Sequence, residues 1–92
     1  MPVEIRVPTV LRPSAEGKSS IKADGATIGE VFQDAVRQYP ALAGQLVTAE
    51  GKLHKFVNVY KNDEDVRFLD HLDTEVSEKD VISVLPAVAG GA

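Results

Sequence analysis

The stretch from Thr27 to Tyr39 has the spacing of an amphipathic helix, and nothing of comparable strength occurs elsewhere in the chain. One helix cannot bury its apolar face alone, so the rest of the chain must supply a surface of another kind. Ile28, Val31, Phe32, Ala35, Val36 and Tyr39 fall at i, i+3, i+4, i+7, i+8 and i+11, which is one helical face. Gln33, Asp34, Arg37 and Gln38 fall mainly on the other. Thr27 is a good N-cap, Glu30 three residues on completes a capping box, and Pro40 stops the helix. Gly29 in the first turn costs about 1 kcal/mol. Each large apolar side chain that the face buries returns about 1.5–3 kcal/mol, so the helix wins.

The surface it needs is a sheet. Val3, Ile5 and Val7 alternate with Glu4 and Arg6 across residues 3–10, the period-two pattern of a half-buried strand, with Pro8 near its end. RPSAEGK supplies a turn, and KSSIKA at 18–23 a weaker second strand, so the chain starts as a hairpin. After the helix, ALAGQLVTAEGKL holds a short helical turn and a loop at Gly51. HKFVNVYKN reads as a strand, with Val57 and Val59 on one face and Phe56, Asn58 and Tyr60 on the other. KNDED is a turn and VRF a brief returning strand. Leu69, Leu72 and Val76 anchor a polar connection, and VISVLP closes the sheet with Ile82 and Val84 inward. First and last strands, the two best apolar runs, are expected to pair centrally and in parallel. The expected fold is α+β: a ubiquitin-like β-grasp, a mixed sheet of four to five strands with one main helix across it. Residues 1–86 form the domain and residues 87–92 a flexible C-terminal tail.

Composition excludes several function classes. A chain of 92 residues has one core and no room for a cleft between lobes. It has no cysteine, hence no disulfide, thiolate metal site or cysteine nucleophile. The net charge of −4 and the scatter of basic residues argue against nucleic acid. With no apolar run near a membrane span and no signal region, a cytoplasmic location is expected.

Side-chain chemistry is sparse. His54 and His71 lie in loop contexts without metal-ligand spacing, and no metal is expected. Asp63, Glu64 and Asp65 lack the alternation of a calcium loop; they read as a solvated charged turn with Arg67 paired across it, or as a partner-facing acidic patch. No serine sits in a nucleophile elbow, and Gly25, Gly44 and Gly51 read as ordinary turn or loop glycines. No catalytic residue emerges.

The tail is different. After Pro86 come Ala87, Val88, Ala89, Gly90, Gly91 and Ala92, small and uncharged where frayed ends are usually polar. Six extended residues reach about 20 Å at most, enough to carry an acyl end into another protein's active site. Glycine has no Cβ to obstruct a narrow channel or an approaching nucleophile. Gly91 is therefore the candidate reactive residue, with Ala87, Val88, Ala89 and Gly90 as the thread. Phe56, Phe68 and Leu85 are candidates for an exposed docking surface on the sheet face away from the helix.

These features converge on a resemblance. GKLHKFVNVYKNDEDVRFLDHLDTEV followed by DVISVLPAVAGG, with VPTVLRP near the start, resembles the ThiS/MoaD class of sulfur carriers over nearly the whole chain, and most closely its actinobacterial branch. The resemblance implies a chemical cycle at Gly91. A ubiquitin-activating-type adenylyltransferase would use ATP and Mg to adenylate it. A sulfur donor, often a rhodanese-type persulfide, would then displace AMP and leave a thiocarboxylate. The acceptor would be a PLP-dependent sulfhydrylase making cysteine, or a thiosugar synthase of secondary metabolism. The protein would be a co-substrate and not an enzyme, with no cofactor of its own. One departure stands out: the family's active form ends in Gly-Gly, and here Ala92 follows. Either a JAMM-type metalloprotease removes Ala92, or this form cannot be activated. Carriage of sulfur for molybdopterin or thiazole synthesis, a ubiquitin-like protein modifier, and a binding module with an incidental tail remain open as alternatives.

Overall fold

Pro8 decides where the first strand stops. The computed structural model describes residues 2–48, 51–54 and 57–86, and in it β1 spans Pro2–Arg6. Pro8 then becomes the cap of a 3-10 helix, Thr9–Ala15, its carbonyl accepting from the N–H groups of Leu11 and Arg12 at 2.9 and 3.1 Å. The connection expected as a plain turn is thus an ordered helical segment that buries Ala15. β2 (Ser20–Asp24) returns antiparallel to β1, with Ile5 opposite Ile21.

α1 spans Ile28–Gln38 and is capped by Thr27 as expected, although the return bond of Glu30 reaches the N–H one residue before the cap. Thr27 Oγ1 accepts from the Glu30 N–H at 3.2 Å, and Glu30 Oε1 accepts from the Ala26 N–H at 2.8 Å. A 3-10 turn at Pro40–Leu42 follows, matching the short helical turn expected there. β3 (Val57–Lys61), the two-residue β4 (Glu64–Asp65) and β5 (Val81–Pro86) complete a five-stranded sheet ordered β2-β1-β5-β3-β4. β1 and β5 are parallel, with Ile5 opposite Ile82; β5 and β3 are antiparallel, with Val84 opposite Val59. This is the expected β-grasp. Ile28, Val31, Phe32 and Ala35 of α1 meet Val3, Ile5, Ile82, Val84 and Val59 in one core.

Three details depart from the sequence reading. VRF is not a strand: Val66–Phe68 is a 3-10 helix, and the strand lies just before it. The cause is Asp65, whose Oδ1 accepts from the Arg67 N–H at 2.9 Å and curls the backbone, sending Val66 into the core. Asp34, assigned by spacing to the polar face of α1, is nearly buried. Its Oδ2 accepts from the Asp24 N–H at 2.9 Å and from Gln38 Nε2 at 2.8 Å, while Gln38 Nε2 also donates to the Lys22 carbonyl at 3.0 Å. Arg37 pairs with the second oxygen. Because β2 is a sheet edge, these contacts occupy backbone groups that would otherwise template pairing with another chain.

Gly25 is the third. A Cβ there would lie 2.6 Å from the Val31 nitrogen and 2.8 Å from the Glu30 carbonyl carbon, inside the first turn of α1. Backbone cannot yield as a flexible side chain can, so Gly25 is a packing requirement of the β2–α1 junction and no ordinary loop glycine. Gly25→Ala should cost about 1–3 kcal/mol, the range for overpacking, read as a lower urea midpoint with unchanged slope. An unshifted midpoint would contradict the close approach.

Candidate functional site

The tail leaves from the most constrained strand. β5 is hydrogen-bonded to β1 on one side and to β3 on the other, and Pro86, its last residue, lies opposite Val57. Beyond the Arg6–Ser83 pair, β1 no longer accompanies it, so the end of β5 opens on one side toward the segment from Val7 to Arg12. Ala87, Val88, Ala89, Gly90, Gly91 and Ala92 lie outside the described residues, as does Phe56. Gly91 lies five positions past Pro86, which sets the reach of its carbonyl at about 17 Å or less from the strand.

Around this exit the surface is partly apolar. Leu85 is 47% exposed, on the sheet face away from α1, and sits opposite Asn58. Val10, which the sequence reading passed over, is 67% exposed and shares with Pro86, Leu11 and Val57 a depression of about 240 Å³. Its spacing carried no signal, since it had been counted within a strand. Phe68 is 86% exposed but is not on the sheet face. It ends the 3-10 helix after edge strand β4, with β3 between it and Leu85 in the sheet order.

His54 and His71, far apart in sequence, both line a groove of about 670 Å³ walled by Leu53, Val57 and Leu72. Among the described residues no three His, Asp or Glu come close enough to hold a metal ion, and every buried side-chain nitrogen or oxygen has a partner. No described helix is long and apolar enough to cross a membrane. The acidic run divides: Asp63 and Glu64 are exposed, while Asp65 turns inward and its Oδ2 accepts from Arg67 at 2.8 Å. The expected pairing with Arg67 is therefore present, but it reaches a buried carboxylate.

Three carboxyls are held below the usual range: Asp65 by the Arg67 guanidinium, Asp34 by the Asp24 backbone N–H, and Asp80 by the Asn62 amide. Each folded pKa lies below the unfolded value of about 3.9, so each contributes stability that is complete above that value and is lost as pH falls through it toward the folded pKa. The urea midpoint should hold from neutrality to about pH 5 and then decline. Asp34→Asn should show a smaller decline than the parent; an equal decline would remove Asp34 from the effect.

What this arrangement offers chemically is a central strand that leads in sequence to a small-residue segment carrying Gly90-Gly91, with exposed apolar side chains near the strand's end. Comparison with known proteins agrees. The ThiS family model matches residues 5–91. The sulfur carrier protein CysO of Mycobacterium tuberculosis is 45% identical over 93 residues, spanning 99% of this chain and 100% of that protein. A chain in the crystal structure of the Amycolatopsis orientalis BexX/CysO complex superposes with a TM-score of 0.88 at 46% identity, covering 97% of this chain and 99% of that one. Small archaeal modifier protein 3 of Haloferax volcanii is 41% identical over 68 residues, 74% of this chain and 73% of that protein. With one family model spanning its strands and its diglycine, and with full-length relatives of the CysO type, the chain belongs to the ThiS family of sulfur carrier proteins.

Proposed function

We propose that Gly91 is the sulfur-bearing residue. Once the Gly91–Ala92 bond is hydrolysed, a Gly91 carboxylate oxygen attacks the α-phosphorus of ATP on a ubiquitin-activating-type adenylyltransferase, with Mg, and pyrophosphate leaves. Hydrosulfide then attacks the acyl carbon, AMP leaves, and the carboxylate has become a thiocarboxylate. No redox change occurs in this sequence. The protein acts as co-substrate. Ala87 to Gly90 thread the partner's channel, and a JAMM-type metalloprotease is the class of enzyme that would expose Gly91.

The observation that carries this reading is the position of Gly90-Gly91, five residues past the end of a central strand in a ThiS-family chain. For the acceptor we favour cysteine synthesis on a PLP-dependent sulfhydrylase, supported by the full-length similarity to CysO. A thiosugar synthase is the second candidate, since a CysO structure of similar fold is a complex with BexX.

ATP–pyrophosphate exchange by the adenylyltransferase tests the first step. A chain ending at Gly91 should support exchange, and the chain bearing Ala92 should not. Exchange with both would contradict the need for trimming, and exchange with neither would remove the reading. The likeness to an archaeal modifier protein supports a second reading, transfer of the activated glycine to target lysines. Covalent ladders on other proteins, without thiocarboxylate, would favour it.

A further inference from the structure

Beside the exit of β5 lies a depression of about 490 Å³ whose lining includes Arg6, Arg12, Ser19, Ser20, Ser83 and Leu85. We propose that Arg6 and Arg12, with Leu85 between them and the tail, seat this chain on an acidic protein surface at the mouth of the adenylating enzyme's channel. This rests on the carrier reading above.

Four observations carry it. Arg12 is held in place by a hydrogen bond its Nε donates to the Val7 carbonyl at 3.1 Å. Among the described residues no carboxylate pairs with Arg12. Arg6 projects with a side chain 66% exposed and a single loose partner, Glu4, at 3.6 Å. The two guanidinium groups thus outnumber the one carboxylate lining the depression.

The second observation is where the charge lies in the chain. Eight of the 14 acids fall in residues 63–80, beside only Arg67 and Lys79. The remainder carries a positive surplus although the protein as a whole stands at −4. Arg6 and Arg12 belong to that surplus, and local positive charge of this kind favours encounters with an acidic surface, while the acid-rich segment 63–80 disfavours them.

Third, the reach of the tail selects the kind of occupant. Gly91 can lie about 17 Å from Pro86 when the thread is extended into a channel. The phosphates that react at Gly91 are then far from this depression, so what meets Arg6 and Arg12 there is the partner's protein surface and not its nucleotide. Fourth, the depression combines the ingredients of an interface anchor: two arginines and an exposed leucine on a rigid strand.

The test is association of the Gly91-ended chain with the adenylyltransferase, followed by biolayer interferometry over a salt series. Arg6→Glu with Arg12→Glu should slow association by roughly tenfold or more at low salt and flatten its dependence on ionic strength. Arg6→Glu alone, which leaves the Arg12–Val7 bond intact, should give part of the loss should the double variant misfold. Arg6→Lys should restore most of it. Lys52→Glu, in the groove near His54, should leave association unchanged. Leu85→Glu should weaken binding mainly by faster dissociation.

Association unchanged in folded Arg6→Glu, with the parent still supporting pyrophosphate exchange, would overturn the basic rim and leave the carrier reading standing. A parent that supports no exchange would overturn both. Concentration-dependent dimers abolished by Arg6→Glu would assign the face to a second copy of the chain, and competition by inorganic phosphate at fixed ionic strength would assign it to a small anion. Either result overturns the proposal.

Discussion

In a chain ended at position 91, Gly91→Val should lose at least roughly a hundredfold in ATP–pyrophosphate exchange while its thermal midpoint stays that of the parent. The two halves of this expectation have separate causes. The core formed by α1 and the sheet is built from residues between Val3 and Val84. The chemistry of Gly91, however, depends on holding a carboxylate oxygen within a few tenths of an ångström of its productive position, about 3–3.5 Å from the reacting phosphorus. A branched Cβ next to the carboxylate restricts φ and ψ and crowds the nucleophile's approach, and a misplacement of about 1 Å can cost on the order of a hundredfold. Gly90→Val should fall between the two chains, since it thickens the thread without altering the reacting residue. Exchange by Gly91→Val at the parent's rate would show that the terminal glycine is not what the partner reads.

Phe32→Ala should have the largest effect on stability, about 3–5 kcal/mol. Phe32 is completely buried near the middle of α1, in the one face the helix has for the sheet. The parent's total is expected near 5–14 kcal/mol at roughly 0.05–0.15 kcal/mol per residue, so the loss is a large share of it. Activation by the adenylyltransferase should fall with the folded fraction if, as proposed above, docking uses the sheet's surface. Phe68→Ser, at a side chain 86% exposed, is the contrast and should change stability by no more than about 0.5 kcal/mol. Urea denaturation of the two variants side by side measures the difference; equal losses would mean that Phe32 does not anchor the core.

How much of this was legible in the sequence follows from how local each cause is. The N-cap at Thr27, the alternation in β1 and β5, and the parallel pairing of those strands rest on short-range patterns, and all three are present. Asp34 was misread because helical spacing assigns a face but not a neighbour. It lies at the border of the apolar stripe, where the edge of β2 brings the Asp24 N–H to its carboxylate. Gly25 was passed over for the same reason, since its constraint is the backbone of residues 30 and 31 folded over it. VRF looked like a strand by composition, but an Asp65 side chain bonded two residues ahead made it a 3-10 turn.

Of the proposed docking residues, Leu85 could be placed by alternation in β5. Phe68 could not, because its position depends on that misread turn. The groove that His54 and His71 both line had no sequence signal, since it forms only where residues 51–54, β3 and residues 70–73 border one cavity. The segment from Ala87 to Ala92 lies outside the described residues, and its reading rests on composition and reach alone.

Intact-mass spectrometry tests the central claim most directly. The chain ended at Gly91 is incubated with its adenylyltransferase, ATP, Mg and sulfide, and the protein is weighed before and after. The account predicts a species heavier by the exchange of one oxygen for one sulfur, confined to the terminal glycine on fragmentation and absent when ATP is omitted. A chain that keeps its original mass while the same enzyme charges another ThiS-family carrier would contradict it.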